Sequence, residues 1–231
     1  MNWLSKLTAL VLPYTCVLCH GRATDKDLCA ACASELPWLK AGCVKCALPL
    51  ENSAQKLCGV CQQENPHYDA TIALFDYANP IAQLVSQFKF HQKLVYGKLF
   101  AQLLTEKLAQ QKKALPQVLI PIPLHPKRLQ ERGYNQALEL LRPIAKHFKI
   151  PIDYKNLQRT RATVQQSLIH ADKRKSNVKN AFALQKALRY KHVGLVDDVM
   201  TTGHTVDECA KLLKRQGVEK VTVIVIARTR L

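Results

Sequence analysis

Eight of the nine cysteines in this 231-residue chain fall before residue 62, as four Cys-x-x-Cys pairs: Cys16/Cys19, Cys29/Cys32, Cys43/Cys46 and Cys58/Cys61. The gaps between successive pairs are 9, 10 and 11 residues. Two thiolates at this spacing share one tight turn and grip a metal together, and a second turn completes the closed tetrahedral site of structural zinc. Two such sites let a segment of about 50 residues fold with little hydrophobic core, because metal binding supplies folding energy. Other uses of paired cysteines fit less well. Disulfides need an oxidising compartment, iron–sulfur runs are spaced differently, and a redox Cys-x-x-Cys comes once, beside a βαβ unit. Ligand type and spacing favour two structural Zn²⁺ ions. Short loops favour the sets Cys16–Cys19–Cys29–Cys32 and Cys43–Cys46–Cys58–Cys61, with the pairing left open. Cys209 stands alone on an expected helix and reads as a small core residue.

Residues 1–13 read as an amphipathic helix, with Trp3, Leu4, Leu7, Leu10 and Val11 on one side, ended by Pro13. The apolar run Leu7–Leu12 is short for a secretory signal and no small-residue cleavage site follows it. No apolar run approaches the ~20 residues of a membrane-spanning helix. These features predict a cytoplasmic chain without an integral membrane segment. A zinc module over 14–67 follows, in which Leu36, Trp38 and Leu39 are the one apolar cluster, expected to pack between the two metal lobes.

From residue 68 onward the pattern changes. Ala70–Tyr77, Val118–Pro123, His192–Val199 and Val218–Ala227 read as strands. Pro80–Phe90, Leu94–Gln111, Asn135 to about Phe148 and Val206–Gln216 read as helices. In Leu94–Gln111 the apolar stripe falls at 95, 99, 103, 104 and 108. A basic loop is expected after Val118–Pro123, and 152–185 carries only weak signals. Buried apolar strands alternating with helices predict an α/β domain over 68–231, with a mainly parallel sheet and helices on both faces.

Charge narrows the class of partner. Lys and Arg number 34 against 17 acids, a formal net charge of +17. Eight zinc-bound thiolates would bring it to about +13. Sixteen Lys/Arg and only four Asp/Glu lie between Lys127 and Lys191. Such an excess points to nucleic acid, an anionic surface or phosphorylated small molecules, or else to a solvated basic face. Aromatics make up only 6%, so stacking platforms are scarce.

The stretch Val193-Gly194-Leu195-Val196-Asp197-Asp198-Val199-Met200-Thr201-Thr202-Gly203-His204-Thr205 carries the most chemistry. An apolar strand ends in two acids, and a Thr/Gly turn then opens a helix. Ligands of open α/β sheets sit beyond the carboxyl ends of strands. The turn offers N–H groups, hydroxyls and the positive helix end to one phosphate. Two acids just before it suit vicinal sugar hydroxyls or a metal. The combination asks for a ribose 5-phosphate. No Gly-Lys-Thr/Ser is present, so it is not a P-loop.

This stretch resembles the thirteen-residue binding motif of type I phosphoribosyltransferases, which bind phosphoribosyl pyrophosphate (PRPP). The resemblance implies that Asp197 and Asp198 hold the ribose hydroxyls, and that Thr201, Thr202, Gly203, His204 and Thr205 hold the 5′-phosphate, with Mg²⁺ accompanying PRPP. Gly194 departs from the motif, which has a bulky aliphatic there. The four cysteine pairs, PIPLHPKRLQERGYNQA (121–137), RTRATVQQSL (159–168) and the PRPP motif, in that order, resemble the ComF family of competence-associated proteins over essentially the whole chain. That resemblance implies a zinc-binding, phosphoribosyltransferase-like protein of natural transformation, DNA uptake or DNA utilisation, associated with single-stranded DNA and a DNA-translocating helicase.

Two basic segments could serve pyrophosphate or DNA. Lys127, Arg128 and Arg132 follow the strand where the enzymes place a pyrophosphate loop, but Pro121, Pro123 and Pro126 offer no N–H there. Arg159, Arg161, Lys173, Arg174 and Lys175 lie where the enzymes carry a mobile catalytic loop; they read as a catalytic loop, a nucleic-acid contact or a solvated face. Tyr134 reads either as a stacking platform or as a buried turn residue. Three functions follow: a single-stranded-DNA-binding accessory with a PRPP-type site, an active phosphoribosyltransferase, and a zinc-organised scaffold for a helicase. No general base is evident in the sequence.

Overall fold

The computed structural model describes residues 14–40, 42–50, 55–111, 114–161 and 178–230. The expected N-terminal helix and the cations Lys173, Arg174 and Lys175 lie outside these residues.

The cysteine segment has two short helices, α1 (Ala30–Glu35) and α2 (Gly59–Glu64), each opening immediately after a cysteine. The rest is alternating: β1 (Ala70–Asp76), α3 (Ile81–Phe90), α4 (Leu94–Ala109), β2 (Val118–Pro121), α5 (Pro126–Arg132), α6 (Gln136–Phe148), β3 (Leu157–Arg159), β4 (Phe182–Leu184), β5 (His192–Val196), β6 (Val199–Met200), α7 (His204–Arg215) and β7 (Lys220–Arg228). The expected strands and long helices are all present, with boundaries moved by a few residues.

The main sheet is parallel in the order β1-β7-β5-β2, with β6 also paired to β7. β7 is a run of β-branched residues buried on both faces, as a central parallel strand must be. Its residues alternate: Val221, Val223 and Val225 face α7, while Ile224 and Ile226 face the side covered by α3, α4 and α6. Gly194 on β5 has a packing reason. A Cβ there would meet Leu119 Cδ2 at 2.6 Å and Pro116 Cγ at 2.9 Å, so the bulky aliphatic of the related motif would not fit.

Three expectations change. The basic loop after β2 is partly helix α5: Pro126 fills its first turn, His125 Nδ1 accepts from Lys127 N, and Gly133 ends it with φ +80°. In α4 the inward residues are Tyr96, Leu99, Phe100, Leu103, Leu104 and Leu108, while Val95 faces solvent. The Leu36–Leu39 cluster does not sit between the lobes. Instead 37–39 runs antiparallel beside β1: Leu39 N donates to Leu74 O at 2.8 Å, and Asp76 N to Pro37 O at 2.8 Å. Trp38 packs on Phe75 with ring centroids 4.5 Å apart. The opposite sheet edge is covered as well, since Leu119 N donates to Pro151 O at 2.9 Å and Asp153 N to Leu119 O at 3.0 Å.

With its linker on the sheet edge, the cysteine segment straddles the sheet. Cys16, Leu28 and Leu36 join the hydrophobic cluster on the α4 side, while Cys43, Cys46 and Cys61 join the cluster on the α7 side. Lys26 Nζ pins the first lobe to α4 through Glu106 at 2.7 and 2.8 Å.

Candidate functional site

The cysteines gather into two sets, Cys16–Cys19–Cys29–Cys32 and Cys43–Cys46–Cys58–Cys61, with the four sulfurs of each within 4.8 Å of one another. All are free thiols; Cys19 and Cys29 sulfurs lie 3.7 Å apart, Cys46 and Cys58 sulfurs 3.6 Å. A four-sulfur cluster of that size fits Zn²⁺, which would be held by one set each and would lock the fold of that lobe. Burial raises the Cys16 thiol, but the N–H groups of Cys19, Cys29 and Leu18 outweigh it and bring it to about 6. Cys43, buried but facing the N–H groups of Cys46, Cys58 and Lys45, comes to about 7. Cys209 is fully buried on α7, as a core residue.

The second centre lies at the carboxyl ends of the strands. β5 and β6 are one strand in register along β7, with Val196 opposite Ile224 and Val199 opposite Ala227. Asp197 and Asp198 interrupt it between those pairs. Asp197 N still donates to Ile224 O at 3.1 Å, and Asp198 O accepts from Ile226 N at 2.9 Å. Their carboxylates are held by the local backbone: Asp197 Oδ1 accepts from Asp198 N at 2.9 Å and Asp198 Oδ1 from Val199 N at 2.6 Å.

Gly203 caps α7 in the left-handed region, φ +86°, and a Cβ there would meet Met200 Cε at 2.8 Å and Tyr68 Oη at 3.1 Å. Thr202 Oγ1 is sealed from solvent with no hydrogen-bond partner among the described residues. A turn with no room for a side chain at its glycine, at the N-terminus of α7, suits one phosphate group. Thr201, Thr202, Gly203, His204 and Thr205 therefore stand together at the turn.

Lys89 is a residue the sequence reading missed. From the last turn of α3 its Nζ reaches Asp198 Oδ1 at 2.9 Å, with side chains 22% and 10% exposed. Burial works against its charge, but Asp198 and then Asp197 outweigh this and hold Lys89 above its ordinary pKa. Nothing local could have found it, because a lysine in a last helical turn ordinarily just complements the helix dipole.

Asp197 is pushed up to about 7, first by burial and then by Asp198, with Lys89 opposing. Between its ordinary 3.8 and about 7 the folded chain keeps a proton that the unfolded chain has lost. This group's contribution to stability therefore falls as pH rises through that window and is level above it. Asp197→Asn is expected to melt above the native chain by a margin that grows between pH 4 and pH 7. Thermal unfolding at pH 4.5 and pH 8 checks this, and an equal margin at both would refute the raised pKa.

The basic residues divide. Arg159 on β3 lies near enough to Arg128 and Asp197 to feel both charges, and its guanidinium sits 5.4 Å over the Phe182 ring. Arg132 on α5 lies 5.0 Å over the exposed Phe90 ring. A 210 Å³ cleft lined by Lys89, Phe90, Gln92, Arg128, Glu131 and Arg132 opens there. Lys127 projects to solvent, and Arg161 Nη2 donates to Lys179 O at 2.9 Å. Tyr134 is a turn residue: its hydroxyl donates to Phe88 O and its ring packs on Phe88. No helix among the described residues is long and apolar enough to cross a membrane.

Comparison with known proteins agrees with this geometry. Residues 7–62 match the double zinc ribbon domain and residues 135–230 the phosphoribosyl transferase domain. The chain is 33% identical to the DNA utilization protein YhgH of Escherichia coli (strain K12), over 95% of this chain and 99% of that one. It is 33% identical to competence protein F of Haemophilus influenzae, over 93% and 97%. It is 28% identical to competence protein ComFC of Streptococcus pneumoniae, over 68% and 67%. With the cysteine sets, the parallel sheet and the acid-pair strand all in place along a shared length, the chain belongs to the ComF family.

Proposed function

We propose that this chain is a cytoplasmic accessory of DNA uptake or DNA utilisation that binds single-stranded DNA and a PRPP-type ligand through its phosphoribosyltransferase-like domain. The observation that carries the reading is one cluster of groups at the carboxyl ends of the strands. Asp197 and Asp198 would take the ribose hydroxyls and the Thr202–Gly203 turn at the start of α7 the 5′-phosphate, while Arg159 lies near Asp197 and Arg128 and Arg132 share a cleft with Lys89, the partner of Asp198. Mg²⁺ would arrive with the pyrophosphate and neutralise part of its charge. The names of the relatives, a DNA utilization protein and a competence protein, support the biological setting. A helicase partner would meet the second cysteine lobe, where Val44 and Val60 are exposed.

Transfer of the phosphoribosyl group is the second reading, favoured by Arg159 standing near Asp197 on the strand just before the segment that the enzymes use as a catalytic loop. Against it, Pro121, Pro123 and Pro126 withhold the N–H groups on which a pyrophosphate loop relies.

Fluorescence anisotropy of a labelled single-stranded oligonucleotide tests the proposal. If Lys127, Arg128, Arg132, Arg159 and Arg161 each neutralise one phosphate, the affinity falls about 100-fold between 50 and 200 mM salt. Mg²⁺–PRPP is expected to displace the DNA if both use these cations. No binding at low salt would sink the DNA reading, and pyrophosphate release with a panel of bases and amines would then put the transferase first.

A further inference from the structure

Arg228, the last residue of β7, is 1% exposed and among the largest fully buried side chains described. Its guanidinium donates to carbonyls from two separate parts of the chain. Nε donates to Cys46 O at 2.9 Å, and Nη1 to Met200 O at 3.1 Å, to Thr201 O and to Thr229 O at 2.8 Å. The first acceptor belongs to a ligand cysteine of the second set. Met200 and Thr201 are the residues that lead into the phosphate turn, and Met200 Cε also walls the space beside Gly203. One side chain thus ties the backbone of the second cysteine set to the backbone of the turn.

The electrostatics explain why an arginine can stay there. No carboxylate forms an ion pair with it among the described residues, and a buried guanidinium satisfied only by neutral carbonyls is costly. Four thiolates around Zn²⁺ carry a net charge of −2, so the loaded second site supplies the missing counter-charge directly across the Cys46 carbonyl. A second strut runs alongside: Asp207 Oδ1, in the first turn of α7, accepts from His67 N at 2.6 Å, just beyond the second cysteine set. The first cysteine set has no comparable link among the described residues, since it packs on α4 across the sheet.

We propose that Arg228 is a positioning residue that couples metal occupancy of Cys43–Cys46–Cys58–Cys61 to the phosphate-binding turn, so that the two binding events are thermodynamically linked. This rests on the reading of the turn as a phosphoribosyl site. Linkage is reciprocal: if the metal organises the turn for the ligand, the ligand must hold the metal by the same factor. Loss of metal from the second set would release Arg228 and with it the carbonyls of Met200 and Thr201.

The test uses the full chain carrying both zincs and ribose 5-phosphate as probe, which offers the 5′-phosphate and both hydroxyls without a magnesium ion. Zinc partition between the chain and a chromogenic chelator is measured at equilibrium with and without the probe, and a Cys29→Ser variant assigns the equivalents to the two sites. Expected is at least fivefold tighter retention at the second site, with the first unchanged. In Arg228→Met both zinc affinities are indifferent to the probe. Ribose 5-phosphate that binds by calorimetry yet leaves both zinc affinities unaltered would overturn the coupling and leave the phosphoribosyl reading standing. A native chain that does not bind the probe at all would overturn both. The native arm is decisive even if Arg228→Met fails to fold.

Discussion

Asp198→Asn is expected to melt about 2–12 °C below the native chain and to bind ribose 5-phosphate at least about tenfold more weakly. The stability loss comes from Lys89. Its ammonium is held 2.9 Å from Asp198 Oδ1 with little of either side chain exposed. Removing the carboxylate charge leaves a largely enclosed cation facing a neutral amide. Breaking a fully buried pair in this way costs about 3–5 kcal/mol, and partial exposure at Lys89 brings the expectation down to about 1–3 kcal/mol. For a chain of this length each kcal/mol moves the midpoint by about 2–4 °C. The binding loss comes from replacing a charged acceptor of a sugar hydroxyl by a neutral one. Lys89→Met errs in the opposite direction, leaving two adjacent carboxylates with only the more distant Arg159 and driving the Asp197 pKa further up. The double variant is expected to recover part of the stability and none of the binding. Thermal unfolding and calorimetry of the three variants check this. An Asp198→Asn chain that melts within a degree of the native one would remove Lys89 from the site.

Stripping both zincs is expected to lower the midpoint by more than about 10 °C and to melt the cysteine segment and the sheet together. A zinc-free ribbon has no core of its own: nothing in α1 is buried, and α2 buries only Cys61. What makes the loss spread is the placement of the segment. The first lobe seals Leu28 and Leu36 against the α4 side, the second covers the α7 side, and residues 37–39 protect the β1 edge. Once these unfold, Phe75 loses Trp38 and the β1 edge is left open to other chains. Metal analysis should find two zincs per chain, and circular dichroism with chelator should show a single lowered transition. A sheet whose midpoint is unchanged after both zincs leave would show that the cysteine segment is an independent appendage.

Much of the fold was legible because its signals are contiguous. Buried runs such as VTVIVIA in β7 and amphipathic stretches such as α6 announce themselves within a dozen residues. Asn135 accepts from Ala137 N and Leu138 N and so marks the start of α6 locally. α5 was the miss with a local signal: Pro126 early and Gly133 at the end bracket KRLQER, and the charge drew attention away from the bracket. β3 and β4 carry no such local signal. Three residues each, they pair across a long intervening segment, and only that antiparallel pairing defines them as strands.

The candidate site divides along the same physical line. Thiol spacing and the thirteen residues from Val193 to Thr205 are each short enough for the chemistry to be set by neighbours in the chain. The eight thiol ligands and the acid-pair turn could therefore be named from residue order alone, whereas which pairs share a metal was decided by the fold. Lys89 and Arg228 could not be named. Lys89 meets Asp198 from the other half of the domain, and Arg228 meets Cys46 across 182 residues. The same holds for residues 37–39, whose partner strand is chosen by the sheet edge they cover rather than by their own pattern. Sequence alone determined which groups the chain carries: eight paired thiols, an acid pair before a Thr/Gly turn and an excess of basic residues. Tertiary structure alone decided how those parts depend on one another, because a buried charge takes its partner from whatever the fold brings beside it.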